Sequence, residues 1–86
     1  GRPYRLHTMG EDKAGIVAKT ARAIASVKGN ILELNSRLRP AASTGTPLYE
    51  MDLRFDLPPS ADLEALRRQL QSIETALHID ITLNPA

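Results

Sequence analysis

The chain has 86 residues, a length that suits a single domain with a modest hydrophobic core. Its 11 Lys and Arg nearly balance its 10 Asp and Glu, so the net charge of +1 creates no field that would attract nucleic acid or an anionic membrane. Cysteine is absent, which excludes disulfides, thiol nucleophiles and thiolate metal sites and fits a cytoplasmic protein, and no apolar run approaches the roughly 20 residues of a membrane span.

The first residues predict a strand, a turn and a helix. Tyr4–Met9 alternates between apolar and polar side chains, as a half-buried strand does. Gly10–Gly15 forms the turn, and the carboxylate of Asp12 can cap the helix that follows. We expect that helix from about residue 15 to residue 28. Its buried stripe consists of Ile16, Val17, Thr20, Ala21, Ile24 and Val27.

A second strand is predicted for Ile31–Arg39. Gly29 and Asn30 end the preceding helix, because both residues tolerate the left-handed backbone of a helix C-terminus. Alternation along the strand predicts one inward-facing row and one outward-facing row. The inward row consists of Leu32, Leu34, Ser36 and Leu38.

The second half of the chain predicts a loop, a strand, a helix and a last strand. Residues 40–47 are small and polar and lie between prolines, which is typical of a mobile hairpin loop. Leu48–Leu57 alternates perfectly and is the clearest strand. Ser60 or Asp62 begins an amphipathic helix that should end near Leu77, and residues 79–83 form the final strand.

The resulting element order is βαββαβ. Right-handed crossovers then produce an α+β, ferredoxin-like fold, with a four-stranded antiparallel sheet and both helices on one face. The first and third strands are central, and the second and fourth form the edges. The chain begins at Gly1 rather than Met, so we interpret residues 1–86 as a single domain that is either excised from a longer protein or processed.

The open face of this sheet argues against several functions that share the topology. No aromatic side chain is expected there to stack on RNA bases, and Glu50, Asp52 and Asp56 would repel phosphate. His7 is interpreted as a surface strand residue and His78 as a helix C-terminal cap, so no metal site can be assembled. We find no catalytic constellation and expect neither enzymatic activity nor a cofactor.

Two turns resemble the signature of ACT domains. Gly10–Val17, which reads GEDKAGIV, resembles the family's DRPGIV-like turn into the first helix, and Gly29–Ile31 resembles its turn into the second strand. The resemblance covers essentially the whole chain. The second half, including Gly45–Met51 and Asp62–Leu66, is similar to the C-terminal ACT domain of glycine cleavage system transcriptional repressor-like proteins.

The resemblance implies a regulatory module that forms a homodimer or pairs with another ACT domain, and that binds a small amino acid such as glycine or serine. The effector would lie between the first loop of one domain and the second strand of its partner. The implied binding residues are Asp12, Gly15, Ile16, Val17, Asn30 and Ile31. A helix N-terminus suits an α-carboxylate, because its first backbone N–H groups lack partners.

The sequence departs from the family at Lys13 and Ala14, where Arg-Pro is common. Without the proline the loop is less preorganised. Two alternatives therefore stay open: a ligand-free module that associates with another ACT domain, or a regulatory domain cut from a larger enzyme of amino-acid or one-carbon metabolism. In a repressor-like parent the domain would act on transcription through another protein, since it shows no helix-turn-helix pattern.

Overall fold

The computed structural model describes residues 1–40 and 45–86, so the centre of the loop predicted for residues 40–47 lies outside the described residues. Two helices and four strands alternate in the predicted order. The elements are β1 (Arg2–Gly10), α1 (Lys13–Ser26), β2 (Asn30–Arg39), β3 (Leu48–Leu57), α2 (Leu63–Leu77) and β4 (Asp80–Pro85). Neither helix within the described ranges is long and apolar enough to span a membrane.

The four strands form one antiparallel sheet in the order β2-β3-β1-β4. This confirms the predicted ferredoxin-like arrangement, with β1 and β3 central and β2 and β4 at the edges. Both helices contribute to a single buried cluster against one face of the sheet. At its centre, the rings of Tyr4 and Phe55 stack with their centroids 5.9 Å apart.

The buried stripe of α1 is largely as predicted. Ile16, Thr20 and Ile24 are fully buried, and Val17 is half-buried. Ala23 is also buried, although the spacing did not single it out. Helix α2 is capped by Asp62, whose carboxylate accepts a hydrogen bond from the backbone N–H of Ala65 at 3.0 Å.

The end of α1 differs from the prediction. The helix stops at Ser26, and the left-handed residue is Lys28, with φ of 64°, rather than Gly29 or Asn30. Gly29 is needed for a different reason, since a Cβ there would lie 2.5 Å from Cγ2 of Ile24. Asn30 already belongs to β2. The prediction for His78 is confirmed, because it follows α2 in a left-handed conformation, with φ of 55°.

Strand β2 corrects the predicted inward row. An irregularity between Ile31 and Glu33 adds a residue, so Ile31 pairs with the core residue Phe55 and Leu32 falls in the bulge. Leu34, Ser36 and Leu38 share the helix-side face, but all 10 residues of β2 are exposed. The physical reason is that the helices pack mainly against the other strands and cover this edge strand only in part, so that Leu34 stays 40% and Leu38 69% exposed.

Candidate functional site

The N-terminus of α1 is built by Asp12 and Gly15. Oδ1 of Asp12 accepts a hydrogen bond from the backbone N–H of Gly15 at 2.9 Å, and the backbone carbonyl of Asp12 accepts one from Ile16 at 3.0 Å. The first N–H groups of the helix, at Lys13 and Ala14, have no intrahelical acceptor. The Asp12 side chain is exposed, so this end of the helix is open to a ligand.

Two further predicted site residues, Ile16 and Val17, hold this turn against the core. Ile16 is fully buried and Val17 is half-buried, so Ile16 anchors the helix and offers no side-chain surface to a ligand. The structure adds a contact that the sequence did not predict. The ammonium of Lys13 lies 5.4 Å from the ring centroid of Tyr49, in reach of a cation–π interaction that ties the first turn of α1 to β3.

The last two predicted site residues lie at the other end of the sheet. Asn30 pairs with Asp56 and Ile31 with Phe55, whereas Gly10, at the start of the α1 turn, pairs with Tyr49. Tyr49 and Phe55 are six positions apart along the strand, which corresponds to about 20 Å. A single copy of the chain therefore does not bring the two halves of the predicted site together.

A charged cluster occupies the open face of the sheet. The carboxylate of Glu50 accepts from Nε2 of His7 at 2.8 Å and from Nε of Arg39 at 2.7 Å, and Nε of Arg37 lies 3.2 Å away. The hydrogen bond from His7, followed by that from Arg39, lowers the pKa of Glu50 to about 2. His7 is thus a surface strand residue, as predicted. Its partner Glu50 lies 43 positions away in the sequence, so no local sequence pattern could predict the contact.

A shallow hollow of about 420 Å³ lies beside the α1 turn. Gly10 and Glu11 line one side of it, and His78 and Asp80 line the other. None of the six residues predicted to bind an effector lines it. Within residues 1–40 and 45–86, no three His, Asp or Glu side chains gather closely enough to hold a metal ion.

The chain matches no protein-family profile. It also matches none of the curated proteins. Among solved structures, an unknown protein from Galdieria sulphuraria is 30% identical with a TM-score of 0.84, and the match covers 99% of this chain and 49% of that one. An ACT domain protein from Streptococcus pneumoniae is 21% identical with a TM-score of 0.73, over 100% of this chain and 91% of that one.

The chain has the fold of an ACT domain. The resemblance of the two turns to the ACT signature is therefore confirmed at the level of the fold. A putative glycine cleavage system transcriptional repressor superposes with a TM-score of 0.74, at 13% identity, over 99% of this chain and 46% of that one. At this identity the likeness to the repressor supports the shared ACT fold and no particular subfamily.

A formyltetrahydrofolate deformylase from Pseudomonas putida KT2440 contains a segment of the same fold. It is 17% identical with a TM-score of 0.77, and the match covers 98% of this chain and 29% of the enzyme. The ACT-type domain described here thus spans about half or less of the longer proteins it resembles.

Proposed function

We propose that residues 1–86 form a non-catalytic, cytoplasmic regulatory domain that pairs with a second ACT domain along β2 and holds a small amino acid at the seam. One observation carries the proposal: the two halves of the candidate site lie at opposite ends of the sheet, next to an edge strand whose residues are all exposed. Pairing along that edge brings the start of β2 of the second domain to the α1 turn of the first, and so completes the candidate site.

The geometry of an antiparallel strand pair explains how a second domain completes the candidate site. Arg39, at the end of β2, pairs with Leu48, so it lies at the same end of the sheet as Gly10 and the α1 turn. A second β2 strand that runs antiparallel along the edge places its own Asn30 at that end. The loop of one domain and the start of β2 of the other then share one end of the joined sheet, and the seam contains two equivalent sites.

The chemistry of the α1 turn suits an α-amino acid. The free N–H groups of Lys13 and Ala14, with the positive end of the helix dipole, can receive an α-carboxylate. Asp12 uses Oδ1 for the cap at Gly15 and keeps Oδ2 for an α-ammonium group. Gly15 adds no side chain to this turn, and the effector that we propose is a small amino acid such as glycine or serine.

A thermal-unfolding screen against the common amino acids at millimolar concentration tests this function. An effector at 100 times its Kd stabilises by about 2.7 kcal/mol, which raises the midpoint of a domain this small by roughly 10–20 °C. Asp12→Ala should abolish the shift. Asp62→Ala is the matched control, since it removes the cap of α2 and should leave the shift intact.

If no amino acid raises the unfolding midpoint and the domain still pairs in a concentration-dependent way, the ligand-free association module is favoured instead. The deformylase likeness favours a second candidate, in which this domain regulates a larger one-carbon enzyme. In that case the intact parent protein should act on formyltetrahydrofolate. If it does not, this second candidate fails.

A further inference from the structure

We propose that the side chain of Glu74 closes the outer edge of β4 to strand addition, so that the sheet of this domain can be extended at one edge alone. The partner that it excludes is an extended strand of any chain, a second copy of this one included. The inference concerns the edge opposite β2, and it stands whether or not the proposed function holds.

The backbone of β4 presents three residues to the free edge of the sheet. Just beyond the strand, the N–H of Ala86 donates to the carbonyl of Pro3 in β1 at 3.0 Å. Backbone groups along an antiparallel strand alternate between the partner strand and the free edge. Every second residue counted back from Ala86 therefore faces β1. The residues between them face outward, and these are Ile81, Leu83 and Pro85.

Two of these three residues offer no N–H to an incoming strand. Proline has no backbone N–H, so Pro85 provides no donor. The N–H of Ile81 donates to Oε2 of Glu74 at 2.7 Å, and a hydrogen bond to a carboxylate is roughly twice as strong as one between neutral groups. In the part of the chain that the structure describes, Leu83 is left as the one outward donor. A strand laid along β4 therefore cannot form a continuous ladder unless it displaces Glu74.

The main chain of α2 holds Glu74 in position. The backbone carbonyl of Glu74 accepts a hydrogen bond from the N–H of His78, which caps the helix, and another from the N–H of Ile79 at 3.2 Å. Only seven positions separate Glu74 from Ile81, so the helix end and the strand edge are joined by a tight connection. One residue thus ends α2 through its carbonyl and covers the edge of β4 through its carboxylate.

The edge of β4 would attract a strand if it were open. A second hollow, of about 220 Å³, lies between α2 and β4, and Leu70, Ile81 and Leu83 contribute apolar side chains to it. An added strand could place a side chain in this hollow while its backbone paired with β4. Natural proteins protect such edges with charged side chains and prolines. Glu74 and Pro85 are protections of this kind.

Amide hydrogen exchange, measured by NMR and corrected for intrinsic rates, tests the contact itself. In the wild type, the N–H of Ile81 should exchange on the order of tenfold more slowly than that of Leu83, although both face the free edge. Glu74→Ala should remove this difference. Glu74→Gln should keep most of it, because the amide oxygen can still accept from Ile81. Equal exchange at Ile81 and Leu83 in the wild type would overturn the inference.

Sedimentation equilibrium at hundreds of micromolar protein then tests whether the contact closes the edge. Glu74→Ala should form larger species than the wild type does. The N–H of Leu83 in this variant should also become protected as the protein concentration rises, because an added strand accepts from it. Far-UV circular dichroism verifies folding. A folded Glu74→Ala variant with the mass and the Leu83 exchange of the wild type would sink the proposal.

Two control variants separate the hydrogen bond from other changes at this surface. Glu74→Gln removes the charge and keeps an acceptor, and Gln71→Ala alters a residue that lines the same hollow. Both should match the wild type in mass and in Leu83 exchange, and a gain in mass by either one would contradict the role given to the Glu74 acceptor. Because Leu83 lies on the edge opposite β2, its exchange is independent of pairing along β2. This inference and the proposed function therefore fail separately.

Discussion

The carboxylate of Asp12 fills the space that a side chain at Gly15 would need: a Cβ at Gly15 would lie 2.5 Å from Oδ2 of Asp12. The same carboxylate accepts a hydrogen bond from the Gly15 backbone. The glycine and the aspartate of this turn are therefore one structural unit. Any ligand that uses Oδ2 of Asp12 meets a carboxylate that is already positioned by the helix it caps.

This relationship predicts a strong coupling between substitutions at the two positions. Asp12→Ala loses an N-cap and should cost about 1 kcal/mol of unfolding free energy. Gly15→Ala should cost a similar amount in the wild type, because it displaces that cap. In the Asp12→Ala background, Gly15→Ala should instead stabilise by roughly 0.5–1 kcal/mol, since alanine is the better helix former and nothing remains to clash. Urea unfolding of the four proteins measures the cycle, and additive effects would contradict the account.

Thr8 provides a second prediction. Its hydroxyl is fully buried in β1 and has no hydrogen-bond partner within the described part of the chain. Thr8→Val should therefore stabilise the domain by about 1 kcal/mol, because it removes an unsatisfied buried polar atom at constant shape. Thr20→Val is the control. The Thr20 hydroxyl is equally buried but donates to the carbonyl of Ile16 at 2.6 Å, so its loss should destabilise by about 1 kcal/mol.

A difference of 1 kcal/mol shifts the unfolding midpoint of a domain of this size by roughly 4–8 °C, so thermal scans should separate the two threonine variants clearly. If Thr8→Val lowers the midpoint as much as Thr20→Val does, the Thr8 hydroxyl has a partner and the prediction fails.

The ion cluster around Glu50 predicts how stability depends on pH. Hydrogen bonds from His7 and then from Arg39 lower the pKa of Glu50 from its ordinary value of 4.5 to about 2 in the folded state. A depressed carboxyl pKa means that the contribution of Glu50 to stability is complete above pH 4.5 and is lost as the pH falls towards 2. The unfolding free energies of the wild type and Glu50→Gln should therefore converge over this interval. A difference that is constant from pH 6 to pH 2.5 would contradict this assignment.

Much of the fold follows from the sequence, because its strongest patterns are local. Leu48–Leu57 was predicted residue for residue, since strict alternation along a central strand is an unambiguous signal. The caps at Asp12 and His78 also follow from the sequence, because a short polar side chain before a helix and a helix-ending residue after it act within one turn. For α2 the sequence leaves Ser60 and Asp62 open, and the structure selects Asp62.

The remaining features depend on neighbours that are distant in sequence. Periodicity shows which face of β2 is apolar, but it does not show how far the helices cover that face, and here all 10 residues of the strand remain exposed. The bulge after Ile31 depends on how β2 matches β3. The cluster around Glu50 joins residues of three strands. For the candidate site, each half could be predicted from its turn, but their separation within one copy appears only once the register is known.

Pairing along β2 is the central claim, and sedimentation equilibrium from micromolar to hundreds of micromolar protein tests it most directly. Leu38→Asp changes the most exposed leucine of β2, while Thr82→Asp introduces the same residue at an exposed position of the opposite edge strand, β4. We expect the wild type and Thr82→Asp to associate into pairs and Leu38→Asp to remain a folded monomer. A wild type that is monomeric throughout, or a Leu38→Asp variant that pairs as the wild type does, would contradict the account.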